Sequence, residues 1–289
     1  MSAFRHARGV GLAILLATVL AAFAGHAEEE VQLPWQPGPM NAAIGNGLAH
    51  IELSESYVFL DADGTRKFME LTQNPVSGSE MATVMPTDPE QDWFLVFEYE
   101  ASGYVADDEK DSLDAEAMIT SIREGTEAAN EERRSRGWDT MNIVGWQEEP
   151  FYDPQTNNLT WSIMGESAGI QNVNRTIKLL GRRGVMTATL VSSPEILPLA
   201  APLTDTLLAG YDYVAGNTYA EYVPGTDKLA AYGLTALVVG GGAAALVKSG
   251  ILARFWKPLV VALVAMGAGI KRIFTTGRSA KHGMDDPIA

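Results

Sequence analysis

The sequence predicts an α+β fold: an antiparallel sheet packed by two helices, preceded by a signal peptide and followed by a C-terminal membrane helix or helical hairpin. Three observations lead there. Four β-rich runs after residue 140 follow one another without the crossover helices that parallel strands need. Two segments carry helical signals, one with a cap, a charge gradient and a closing glycine. Charge is segregated: residues 28–228 hold 12 Lys/Arg against 34 Asp/Glu, and residues 229–289 hold 7 basic and 2 acidic residues around two apolar runs.

In chain order, Arg5 and Arg8 precede the apolar run Val10–Ala24, and small residues follow before Glu28. That pattern predicts a signal peptide over 1–27, cleaved after Ala27 or Ala24. Residues 28–46, rich in Pro, Gly and Asn, predict an irregular arm. An exported acidic domain is predicted over 47–228. It opens with strands at Gly47–Leu53 and Tyr57–Leu60, then a short helix capped by Asp61 or Asp63 and carrying Phe68, Met69 and Leu71. Strands Met81–Met85 and Trp93–Tyr99 follow the loop Asn74–Gly78.

The longest predicted helix is Leu113–Arg136, with Asp111 or Ser112 as cap, Asp114 and Glu116 in the positive first turn, and Arg133, Arg134 and Arg136 in the negative last turn. Gly137 closes it, and Met118, Ile119, Ile122 and Ala129 share the face that packs on the sheet. Strands are predicted at Met141–Trp146, Asn158–Met164, Arg175–Leu180 and Val185–Val191, and a second helix at Pro194–Leu208. The uncharged run Leu229–Val247 has 19 residues, the length of a spanning helix, and its glycines suit close helix approach in lipid. A basic loop (248–257), a second membrane-embedded segment (258–270) and a basic tail (271–289) complete the chain, and the second segment leaves both a single span and a hairpin open.

Composition narrows the chemistry. A body this acidic is a poor partner for nucleic acid, whose phosphates need Lys and Arg. The chain has no Cys, which removes disulfides, thiol nucleophiles and Cys-ligated zinc. Gly165-Glu166-Ser167-Ala168-Gly169 spells a nucleophile elbow, but no helix pattern follows it and the only downstream histidine is His282, so it reads as a hairpin turn. His50 is the single histidine of the mature body, which excludes a multi-histidine metal site. Asp61-Ala62-Asp63-Gly64 starts like a calcium loop, but Arg66 and Thr72 occupy the positions that need Gly and Glu. The acidic run Asp107–Glu116 reads as a solvated loop at a helix N-terminus. No catalytic set, metal site or cofactor motif emerges.

Several strings occur in order: Asp92-Trp93-Phe94, Gly103-Tyr104-Val105, Asn130-Glu131-Glu132-Arg133, Gly145-Trp146, Tyr152-Asp153, Leu180-Gly181-Arg182 and Tyr232-Gly233-Leu234. With them the chain resembles, from about Pro34 to Ile273, the uncharacterised bacterial membrane-anchored family known as domain of unknown function 2167. The resemblance implies a signal peptide, an exported domain and a C-terminal membrane segment, without an established activity. The chain departs from it at Val105-Ala106-Asp107, where the family tends to carry a basic residue.

Two functions are therefore carried forward. One is a binding or assembly module on the periplasmic side of the inner membrane, engaging an envelope protein through aromatic candidates such as Trp35, Trp138, Trp146, Tyr152 and Trp161. The other is a carboxylate-based hydrolase drawing on Asn130, Arg134, Asp153, Asn174 and Arg182, which a cleft gathering these residues would favour.

Overall fold

In the computed structural model the described residues are 32–239, with 73 and 75 excepted. The predicted signal peptide, basic loop, second apolar segment and basic tail lie outside them. The elements in chain order are β1 (Gln36–Pro37), β2 (Met40–Ile44), β3 (Ala49–Leu53), β4 (Tyr57–Leu60), α1 (Ala62–Leu71), β5 (Glu80–Pro86), β6 (Trp93–Glu100) and α2 (Ala115–Ser135). They continue with β7 (Met141–Asp153), β8 (Asn158–Ser167), β9 (Ile170–Leu180), β10 (Val185–Ser192), α3 (Leu197–Leu208), β11 (Tyr211–Tyr213) and α4 (Leu234–Val238).

Eight strands form one sheet in the order β1-β4-β5-β6-β10-β9-β8-β7, and every neighbouring pair is antiparallel. A smaller sheet has the order β11-β3-β2. The α+β class with an antiparallel sheet is what the sequence predicts. Its details need correcting. Strands β1 and β2 lie inside the predicted irregular arm, and the short helix predicted after Asp61 joins the two longer ones, so that three helices of 10 to 21 residues pack the sheets. Of the small sheet, β3 is the strand predicted at Gly47–Leu53; β2 is flanked by Gly and Pro and β11 has only three residues, which is why the sequence pattern hides those two.

Alternation along β6 divides the core. Trp93, Leu95 and Phe97 face the small sheet and α3, joined there by Ile44, Ile51 and Leu207. Phe94 and Val96 point the other way, toward Phe68 and Met69 of α1. On that same face, toward the β7 edge, Met118, Ile119 and Ile122 of α2 cover Met141, Ile143, Leu159 and Trp161.

Local signals explain the helices. Asp61 caps α1 by accepting from the Gly64 N–H at 2.8 Å. The cap of α2 is Asp114, accepting from Ala117 N–H at 3.0 Å, and not Asp111 or Ser112. Gly137 takes a left-handed φ of 69°, and the Trp138 N–H returns to the Arg133 carbonyl at 2.9 Å, closing the helix. Ile122 is fully buried and Glu124 is exposed. Ile122→Asp is therefore expected to cost about 3 kcal/mol or more, and Glu124→Ala under about 0.5 kcal/mol. Chemical denaturation checks the pair, and equal midpoint shifts would refute this orientation of α2.

The predicted domain boundary at 228 moves outward. Lys228–Ala230 bond to Tyr104: the Tyr104 N–H donates to the Lys228 carbonyl at 2.9 Å and Ala230 N–H donates to the Tyr104 carbonyl at 2.8 Å. Leu234, Leu237 and Val238 of α4 are buried in the α2 cluster. The first eleven residues of the predicted membrane run, 229–239, thus belong to the folded domain, because the α2 face of the sheet lacks enough apolar cover without them. Residues 240–247 of that run lie outside the described residues. Among the described residues no helix is long and apolar enough to cross a membrane.

Candidate functional site

The face of the large sheet that carries α1 and α2 is not apolar throughout. Strand pairing places Glu80 opposite Glu98, Glu98 opposite Thr187, and Thr187 opposite Lys178. A single row across β5, β6, β10 and β9 therefore reads Glu-Glu-Thr-Lys. All four are buried, and Glu98 is only 4 % exposed. The row lies between the α1 and α2 clusters, and Glu100 stands two residues along β6 on the same face.

Each group has defined partners. Glu80 accepts from Ser77 N–H at 2.5 Å, Ser77 Oγ at 2.8 Å and Gly78 N–H at 2.8 Å, and so holds the turn before β5. Glu98 accepts from Ser79 Oγ at 3.2 Å. Lys178 Nζ donates to Thr187 Oγ1 at 2.8 Å and lies 6.0 Å from the centre of the Trp161 ring. Glu100 accepts from the Tyr232 hydroxyl.

Two carboxyls, Glu98 and Glu100, thus act on one ammonium, with Glu80 opposite Glu98, and the buried row carries more negative than positive groups. Burial, reinforced by Glu80, pushes the Glu98 carboxyl up to about 7, with Lys178 acting in the opposite sense. Burial lowers Lys178, partly offset by Glu100 and Glu98. Burial and Glu100 raise the Tyr232 phenol.

Sequence reasoning missed this row. Its signal was present: a glutamate inside Trp93-Phe94-Leu95-Val96-Phe97-Glu98 and a lysine inside Ile177-Lys178-Leu179-Leu180, both charges in otherwise apolar strands. Their alignment depends on register, which periodicity alone does not supply.

The predicted site residues do not converge. Tyr152, Asp153 and Arg182 lie at one end of the strands. Tyr152 donates its hydroxyl to Asn157 Oδ1 at 3.3 Å, and burial, with Asp107 nearby, raises its phenol. Asp153 accepts from Gln155 N–H at 2.8 Å and Thr156 Oγ1 at 2.9 Å to build the β7–β8 turn. Arg182 forks onto Asp227 at 2.7 and 3.0 Å, tying the β9–β10 turn to the C-terminal segment.

Asn130 works at the opposite end. It accepts from Met141 N–H and donates to the Met141 carbonyl, both at 2.8 Å, so it stands in for a neighbouring strand at the start of β7. Asn130→Ala leaves both backbone groups unpaired and is expected to cost about 2 kcal/mol in thermal or denaturant melts. A loss confined to a few tenths would show that water replaces the amide there.

Asn174 is buried on β9 between Ile163 and Val191. Arg134 pairs with Glu127 on the surface at 2.6 Å. Trp146 donates Nε1–H to the Ala115 carbonyl at 3.1 Å and clamps the start of α2, while Trp161 is core beneath that helix. Of the other aromatic candidates, Trp35 packs edge-on against Phe68 at 6.0 Å and Trp138 receives the guanidinium of Arg136 at 4.9 Å.

Ser167 ends β8, and the next two residues, Ala168 and Gly169, have φ values of 53° and 79° before β9 begins. Two left-handed residues make the mirror-image hairpin turn, so the Gly165–Gly169 string turns between strands instead of entering a helix. In the acidic loop, Glu109 accepts from the Thr235 N–H at 2.8 Å at the start of α4, and Asp107 pairs with Lys110 at 3.2 Å. Among the described residues no three His, Asp or Glu gather as a metal-binding group.

A family profile described as "Protein of unknown function (DUF2167)" matches residues 36–270. No curated protein matches. Cyanobacterial PsbP from Synechocystis, in a solution structure, is similar at 10 % identity and a TM-score of 0.37, over 66 % of this chain and 98 % of that one. A protein of unknown function from Pseudomonas aeruginosa is similar at 13 % identity and a TM-score of 0.23, over 54 % of this chain and 85 % of that one.

Proposed function

The chain belongs to the DUF2167 family of proteins of unknown function, and on that premise we propose that it is a membrane-anchored periplasmic binding or assembly module. In this reading the segment 1–27 exports it, and apolar residues beyond Val239 hold it at the inner membrane. The observation that carries the reading is how the domain meets its apolar run. The described part of the join, 229–239, is seated on the domain: Tyr104 bonds both sides of Leu229, Glu109 takes the Thr235 N–H, and Leu234, Leu237 and Val238 are core. A run seated this firmly presents the domain to its partner in one orientation relative to the bilayer, as an assembly module requires.

The seating also shortens the first membrane leg. Only residues 240–247 remain uncharged before Lys248, a length of about 12 Å as a helix against a hydrocarbon core of about 30 Å. That shortening supports an anchor built from both apolar segments, 240–247 together with 258–270, over a single span starting at Leu229. The protein is expected to stay in the membrane fraction through carbonate extraction, and a chain ended after Val239 is expected to be released. Because the chain has no Cys, Ser279→Cys can be labelled with an impermeant maleimide to decide on which side the tail lies. Release of the full chain by carbonate would end the anchored reading.

A further inference from the structure

The buried row and the segment that leads into the apolar run share a residue. Glu100 accepts from Tyr232, which belongs to that segment, and it shares Lys178 with Glu98. The groups facing Glu98 among the described residues are Glu80 from β5, Ser79 before it, Thr187 from β10, Lys178 from β9, and Glu100 on its own strand, with Tyr232 behind Glu100. Among the described residues Lys178 is the one cation of this row. Lys178 Nζ is held on Thr187 and acts electrostatically on both carboxyls. A second negative charge at Glu98 therefore weakens the share of that field left to Glu100, which is only half-buried and can turn to water.

We propose that this row is a proton-operated latch: ionisation of Glu98 releases the Glu100–Tyr232 contact and loosens the segment Leu229–Val239 from the α2 face, while protonation of Glu98 seats it. The geometry that carries this is the chain of direct neighbours from Glu80 to Tyr232, crossing four strands and ending on the residue two positions before the buried Leu234. The ligand of the switch is the proton, and the element it biases is the junction between the domain and the run. The latch concerns the seating of 229–239 and does not require that the run lie in lipid, so failure of carbonate retention would remove the anchor reading and leave the latch to stand or fall on its own measurement.

Hydrogen exchange on the full chain in detergent micelles, corrected for intrinsic rates, tests it at about pH 6 and about pH 8.5. The expected result is that protection of the amides of residues 229–239 falls about tenfold or more at the higher pH in the unaltered chain, and that Glu98→Gln abolishes the fall. Equal protection at both values, or an undiminished fall in Glu98→Gln, overturns the latch. Should Glu98→Gln fail to fold, the side-chain carboxyl of Glu98 can be followed by carbon NMR in the unaltered protein. A midpoint near neutral that coincides with the loosening of 229–239 upholds the proposal, and a midpoint in the ordinary carboxylate range overturns it.

Discussion

Ending the chain at Lys228 is expected to destabilise the domain severely, by about 5 kcal/mol or more, whereas ending it after Val239 is expected to leave it intact. Leu234, Leu237 and Val238 are essentially inaccessible to solvent and pack with Met118, Ile122, Leu159 and Trp161. Burying each aliphatic side chain is worth about 1.5–3 kcal/mol, so removing three exceeds what a marginally stable domain tolerates. The shorter product also exposes a contiguous apolar patch over α2, a ready site for aggregation. Denaturant midpoints and dye binding on the two truncations check this. A soluble, monodisperse product ending at Lys228 with an unchanged midpoint would show that α4 is not part of the core.

Lys178→Met is expected to cost about 3–5 kcal/mol at neutral pH and much less near pH 5. Removing the ammonium leaves Glu98 and Glu100 without the cation that acts on both, and the penalty at Glu98 exists only while that carboxyl is ionised. The sign follows from proton counting. In the unaltered protein Glu98 is raised from 4.5 to about 7, so the folded state binds more protons than the unfolded state between those values. Stability from this group is therefore fullest below about 4.5 and is lost as pH rises to about 7, a change of about 3 kcal/mol. Lys178, lowered by burial, acts with the opposite sign at higher pH: its contribution grows as pH rises toward its ordinary value. In Lys178→Met the second effect vanishes and the first extends upward. Stability curves measured across pH 5 to 8 test this, and a loss independent of pH would reduce the lysine to a packing role.

Much of the fold was legible because its determinants are local. The helix α2 was visible from its acidic start, its apolar stripe and Gly137, and the β8–β9 turn from small residues that tolerate left-handed φ. What was not legible depends on distant pairing. The small sheet needs β11 to meet β3 across the whole large sheet's sequence, and no short window reports that. The run from Leu229 looked like a spanning helix because burial in protein and burial in lipid select the same residues; only the packing of Leu234 on α2 separates them. The dispersal of the candidate site residues has a related reason. Asn130, Asp153 and Arg182 were singled out as polar groups beside motifs, and each is spent on a backbone or a turn. Glu98 and Lys178 are two charges among many in the sequence, and only strand register aligns them.

The contact between Glu109 and Thr235 spans 126 residues of chain. Together with the strand-like bonds of Tyr104 around Leu229, it sets an order of assembly. Contacts so distant in sequence form late, because a long loop must close before they return any energy. Residues up to Tyr213 can complete both sheets first, leaving the apolar side of α2 uncovered until the last part of the domain has arrived. A chain delivered from its N-terminus therefore passes through a sticky, nearly finished state. In that interval the cell needs either rapid delivery of the remaining residues or a holding factor that covers the α2 face.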